Sequence, residues 1–185
     1  MLDGGGNDRL RRMTGKTHFA VGTNAVWLSL LFGPASWPLI GLAFIGGIAG
    51  LLPDIDTRKS TVNHETGGLL RIFLLDILFR HRSVTHSLLG TILAACLFVP
   101  LYRLHPLAPL IALAGFASHL FIDGFNPQGC EYLYPNKNNY RLIPKLLCVD
   151  TGGWVDHLLF FLASATFALF ACHALGLVSL QSLPL

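Results

Sequence analysis

Charge is what this chain has least of. Lys, Arg, Asp and Glu make up 12% of its 185 residues, where a soluble domain carries about 25%. Cysteine is also scarce: the four residues Cys96, Cys130, Cys148 and Cys172 show no CxxC spacing, which argues against a disulfide framework. Cys96 and Cys172 sit inside apolar runs, where a cysteine behaves as a small hydrophobe. The formal net charge of +3 is too small for a nucleic-acid surface, and no basic stripe with interleaved aromatics occurs, so no nucleic-acid binding is expected. No small-residue cleavage site follows a short apolar core near the N-terminus, and no cleaved signal peptide is expected.

What the chain does have is apolar length. Hydrophobic residues make up 52% and the mean hydropathy is +0.56. Residues 1–15 read as a flexible polar tail and 16–185 as one membrane-embedded domain. Five apolar stretches follow the tail: His18 to Phe32, Leu39 to Leu52, His86 to about Tyr102, Leu107 to about Phe125, and Val155 to about Leu180. The first two, at about 22 Å of helix each, are short for a bilayer core of about 30 Å. Between the second and third stretches, LLRIFLLDILFR (69–80) reads as a helix lying in the membrane interface, with Asp76 and Arg80 paired at i, i+4. The expected fold is therefore all-α, a polytopic transmembrane helical bundle of about five apolar helices plus an interfacial helix.

The basic residues orient this bundle. With the N-terminus inside, of 13 Lys and Arg only Arg103 falls outside, leaving 13 − 1 = 12 on the cytoplasmic side. A bias of that size predicts a multi-pass inner-membrane protein with a cytoplasmic N-terminus. The same topology gathers ionisable residues from five places. His18 opens span one, Asp54 and Asp56 follow span two, and His81 and His86 introduce span three. His119 and Asp123 close span four, and Asp156 and His157 open span five. All fall at the cytoplasmic end, and ionisable groups near membrane depth are costly unless they have partners and a use. His105 and His173 fall at the opposite end and read as structural.

The local spacing suits a metal. His119 and Asp123 are at i, i+4 on one helical face. Asp54 and Asp56 follow Pro53, and in an extended segment i and i+2 project the same way. Ser83 stands between His81 and His86 as a candidate N-cap. Imidazole with carboxylate suits Zn²⁺ or Mn²⁺, zinc being the commoner. The candidates outnumber one tetrahedral site, so a centre of one to three ions is expected.

The order TH, LLPDID, HRSVTHSLL, SHLFIDGFNPQG, RLIP and TGGWVD over residues 14–165 resembles the YdjM-type, LexA-regulated, membrane-bound metal-dependent hydrolases. The resemblance implies a bacterial inner-membrane hydrolase whose metal ligands are His18, Asp54, Asp56, His81, His86, His119 and Asp123. The family's TG-x-x-x-E element reads TGGWVD here, so Asp156 stands in place of a glutamate, and its shorter side chain points to a role behind a ligand rather than on the metal. The H-x-x-x-D element is also similar to part of the zinc phospholipase C ligand set, which directs the substrate toward phosphoesters.

The function expected is metal-dependent hydrolysis of a phosphoester, a phospholipid included, at the cytoplasmic surface of the bilayer. Asp56, His86 and Asp123 are the candidate catalytic residues, with Asp56 bridging metals or acting as base. Arg82, Arg141 and Lys145 are candidates to meet anionic groups of the substrate. The rival reading is a non-enzymatic membrane transporter of metal or protons, or a metal sensor. A transporter should carry polar residues near the middle of its spans, whereas here they stand at one end. An amidase acting on lipids would share the metal and differ in the bond cut.

Overall fold

Helix α1 (Gly15–Thr23) begins at Thr14, whose backbone is extended and whose N–H donates to the carboxylate of Asp156 at 3.2 Å. The computed structural model describes residues 14–56, 84–136, 138–149 and 152–179. Within these, four further α-helices follow: α2 (Trp37–Ala49), α3 (Leu88–Phe98), α4 (Ala108–Asp123) and α5 (Trp154–Ala174). Pro38 and Pro109 stand in the first turns of α2 and α4, where a missing N–H costs nothing. Among the described residues no strand forms; a lone antiparallel bridge joins Cys130 to Tyr140.

Helices α1, α2 and α4 pack against one another as the centre of the bundle, α5 lies against α1, and α3 lies against α4. Glycine makes the centre possible. A methyl group on Gly22 would sit 2.6 Å from the Gly46 carbonyl oxygen, one on Gly46 would sit 2.5 Å from that of Gly22, and Gly115 closes on the Gly46 carbonyl from α4. The three backbones therefore approach closely, as small residues allow between helices in lipid. Two apolar clusters fill the remaining space: one around Val26, Ala43, Ile111 and Phe170, the other around Ala49, Phe98, Ala112 and Phe116. Asn24 clamps α5 to this core, donating to the Ala163 carbonyl at 2.8 Å and accepting from Thr166 at 2.9 Å.

The outside of the bundle is apolar. Ile92 and Leu97 on α3 and Phe161 and Leu162 on α5 are all exposed, as expected of a surface in contact with acyl chains. Two segments, Trp37–Asp54 and Trp154–Ala174, are long and apolar enough to cross a membrane; Leu88–Arg103 and Ala108–Asp123 are apolar but shorter.

The five apolar stretches read from the sequence thus become helical, with three changes. The first is α-helical for nine residues and continues as a 3₁₀ helix over Asn24–Leu31. The third begins at Leu88 rather than His86, because Ser87 is its N-cap, accepting from the Gly90 N–H at 3.1 Å. The segment after α2 is a 3₁₀ helix, Leu52–Asp56, not an extended strand. The interfacial helix expected at 69–80, and Ser83, lie outside the described residues.

The polar loop after α4 folds back over the helix ends. Leu142 donates to the Gly124 carbonyl at 2.9 Å, Val149 to Phe125 at 3.0 Å, and Leu88 to Tyr132 at 2.9 Å. The Tyr132 hydroxyl donates to the Leu120 carbonyl at 2.8 Å, and burial pushes its phenol above the usual range, keeping it a donor.

Candidate metal centre

Because the helices alternate in direction, the start of α1, the segment after α2, the approach to α3 and the end of α4 meet at one end of the bundle. Each brings a metal-competent side chain. His18 lies one turn into α1, Asp54 in the 3₁₀ turn after α2, His86 just before the Ser87 cap, and His119 and Asp123 one turn apart at the end of α4. His18, His86 and His119 are buried, and Asp54 and Asp123 keep side-chain exposures of 21% and 12%.

Their donor atoms converge. His86 Nε2 lies 3.3 Å from His119 Nε2, 3.5 Å from Asp54 Oδ1 and 3.7 Å from Asp123 Oδ2. His119 Nε2 lies 3.5 Å from Asp123 Oδ2 and 3.9 Å from Asp54 Oδ1. Ligands about 2.1 Å from a tetrahedral zinc ion are separated by about 3.4 Å, which is the scale of the spacings that His86 and His119 keep from each other and from the two carboxylates. His18 joins from the other side, with Nε2 3.4 Å from Asp123 Oδ1 and its ring stacked on His119 at a centroid distance of 3.8 Å. Two overlapping ligand groups result, His18–His119–Asp123 and Asp54–His86–His119.

Surrounding groups orient these side chains. His119 Nδ1 donates to the Gly50 carbonyl at 2.7 Å, which leaves Nε2 as the free lone pair facing the cluster. His86 Nδ1 lies 3.1 Å from the Thr85 hydroxyl. Asn126 donates from its side chain to Asp123 Oδ1 at 2.9 Å, so one oxygen of Asp123 is held by an amide while the other faces His86 and His119.

The remaining sequence candidates separate as follows. His81 and Arg82 lie outside the described residues, as does the side chain of Asp56. The extended backbone expected at Asp54 and Asp56 is corrected: Leu52–Asp56 is a 3₁₀ helix. Arg141 donates to the Pro127 carbonyl at 2.8 Å, and Lys145 starts a short exposed 3₁₀ turn; neither lines the cavity described next. His157, His105 and His173 make local hydrogen bonds to backbone groups.

Asp156 is almost fully buried, at 1% exposure. Its Oδ2 accepts from the backbone N–H of Thr14 at 3.2 Å and of Gly152 at 3.1 Å, and its own carbonyl lies 3.5 Å from the Thr17 hydroxyl. Oδ1 is buried without a hydrogen-bond partner, and so is Nδ1 of His18.

A polar cavity of about 130 Å³ opens against the cluster, lined by His86 and Asp123 together with Asn126, Gln128, Gly129, Cys130, Glu131 and Asn139. Sequence reasoning missed this wall and the Gly50 carbonyl. Asn126 alone carried a signal, standing three residues beyond Asp123 where a helix ends.

Comparison with known proteins places this geometry in a family. The model of the YdjM inner membrane protein family matches residues 13–182. An uncharacterized protein of Bacillus subtilis (strain 168), YvsG, is 28% identical over 158 residues, covering 84% of this chain and 91% of the relative. No solved structure matches. The chain belongs to the YdjM inner membrane protein family.

Proposed function

We propose that this member of the YdjM family is a membrane-bound, metal-dependent hydrolase acting on a phosphoester, with a lipid as the substrate nearest to hand. The observation that carries the reading is the meeting of three histidine Nε2 atoms and two carboxylates beside a polar cavity that shares His86 and Asp123 with them. Zinc is the ion that this mixed nitrogen and oxygen set favours. His86, His119, Asp54 and Asp123 would hold it, with His18 on the second oxygen of Asp123. A divalent ion there supplies Lewis acidity, activating a water and polarising the scissile group.

The chain's own residues do the rest. The Gly50 carbonyl and the Asn126 amide hold His119 and Asp123 in one orientation. The cavity admits a polar group next to His86 and Asp123 while α3 and α4 meet the acyl region. Asp56 belongs to the same 3₁₀ turn as Asp54 and is assigned the role of base or of bridge to a further ion. Asp156 is assigned the positioning of α1, and through it of His18, on the strength of the hydrogen bond it accepts from the Thr14 N–H at the start of that helix.

The protein is assigned to the inner membrane with several passes and a cytoplasmic N-terminus, on the distribution of its 13 Lys and Arg. A transporter would need polar groups along a path through the spans; here the donors gather at one end of the bundle, which favours a site at the surface. The test is elemental analysis of the purified protein followed by a screen of phosphodiester and lipid substrates. At least one equivalent of transition metal, and turnover lost in His119→Ala, are the expected results. Full turnover after complete removal of metal would overturn the assignment.

A further inference from the structure

We propose that the cavity beside the metal centre is a recognition pocket for an ammonium group on the substrate head, with Glu131 as its counter-charge; the inference rests on the hydrolase reading above. The wall has a consistent chemical sense. Beyond His86 and Asp123 it offers three neutral amides, Asn126, Gln128 and Asn139, and the carboxylate of Glu131. Among the described residues no Lys or Arg lines it. Among the described residues the nearest basic side chain along the loop, Arg141, packs its stem against Gly129 and donates to the Pro127 carbonyl instead.

Charge balance then decides the ligand. A divalent ion held by Asp54 and Asp123 is neutralised by those two carboxylates, so Glu131 is the charge left over on the described wall. One of its carboxylate oxygens, Oε2, is buried and makes no hydrogen bond. A buried acceptor of that kind carries a desolvation cost that a donor would remove. An ammonium supplies both the opposite charge and three donors, with the neighbouring amide oxygens as further acceptors. A glycerol-type head would satisfy hydrogen bonds and leave the charge uncompensated. The cavity, at about 130 Å³, is of head-group size, and acyl chains have the apolar outer faces of α3 and α5.

The shared chemistry is an ammonium carried on a phosphoester, from either a lipid or a soluble molecule. Zinc-loaded full-length protein in detergent is titrated with phosphatidylethanolamine and with phosphatidylglycerol of identical acyl chains, binding being read by native mass spectrometry. Soluble phosphoethanolamine and glycerol 3-phosphate form the second arm, read by calorimetry. The amine member is expected to bind about tenfold more tightly, the size of a charged hydrogen bond, and Glu131→Gln should erase the difference while Glu131→Asp keeps part of it. Discrimination in the lipid arm alone identifies a bilayer substrate, and discrimination in both arms shows that the head suffices. Equal binding of amine and glycerol members, a preference for the glycerol members, or a preference that survives Glu131→Gln would overturn the proposal. Metal content measured on the same samples separates a failed pocket from a failed metal centre, and unchanged zinc in Glu131→Gln shows that the variant is folded.

Discussion

The imidazole of His119 on α4 is tied through Nδ1 to the backbone carbonyl of Gly50, the residue that ends α2, at 2.7 Å. One hydrogen bond thus fixes the tautomer of a central donor and couples it to the spacing of two helices. That spacing depends on Gly46 and Gly115, whose backbones are in close contact. The geometry of the site and the packing of the bundle are therefore one problem.

Gly115→Ala tests this coupling. Its added methyl group meets the Gly46 backbone, which cannot yield as a flexible side chain would, so α2 and α4 must separate. A loss of about 1–3 kcal/mol, typical of overpacking, is expected as a lowered Tm in detergent. Zinc affinity should fall as well, although no ligand has changed. A Tm loss with unaltered zinc affinity would show that the two are independent.

Asp123 is the candidate ligand with the most demands on it: Oδ2 faces His86 and His119, and Oδ1 takes the Asn126 amide and faces His18. Asp123→Asn keeps the shape and replaces one oxygen by a donor, so zinc content measured by mass spectrometry should fall to near zero. Asn126→Ala removes the amide that supports Asp123 and leaves every ligand in place. It is expected to weaken zinc binding about 10–100-fold, measured by competition with a chromogenic chelator, and unchanged affinity would remove Asn126 from the support of the site.

What was legible in the sequence is the part set by helical periodicity and by alternation of spans. His119 and Asp123 are one turn apart in any α-helix, and helices that reverse direction must return His18, Asp54 and His86 to the same end. What was not legible depends on local choices of backbone geometry. Whether LPDID runs extended or turns as a 3₁₀ helix is one such choice, and a five-residue window does not settle it. Ser87 caps α3 because its hydroxyl accepts from the Gly90 N–H, beside the backbone bond from Leu88 to the Tyr132 carbonyl. The wall carrying Glu131 belongs to a loop held by long-range backbone bonds, for which composition has no signal.

Orientation in the membrane is predicted from the twelve-to-one distribution of basic residues. In a cysteine-free background, single cysteines in 53–68 and 126–153 should resist an impermeant maleimide in intact cells, and a cysteine near Arg103 should react. Labelling of the two polar loops from outside would put the site on the periplasmic face.

Asp156 separates three roles that differ in what they spend the carboxylate on. As a metal ligand it would lose zinc when truncated, as Asp54→Ala should. As a helix-end charge it is worth only about 0.3–1 kcal/mol, and zinc would be unaffected. Its geometry, with Oδ2 occupied by the Thr14 and Gly152 amides and its carbonyl beside the Thr17 hydroxyl, favours the third: it holds α1 to α5 and through α1 positions His18. Asp156→Ala should then weaken zinc binding about 10–100-fold and also lower Tm, because two backbone donors lose their acceptor in a buried place. Asp156→Asn isolates the charge: it retains an acceptor oxygen for the amides, so most of the Tm should return while zinc affinity stays reduced. Asp156→Glu, which restores the length the family's motif carries, should bind zinc at least as well as the parent. Replacing zinc by cobalt gives a readout that stability cannot mimic, since the visible absorption of the ion reports on its ligands. A shifted cobalt spectrum in Asp156→Asn at full occupancy is the expected result; a spectrum identical to the parent's, with zinc affinity also intact, would leave Asp156 with the helix-anchoring role alone.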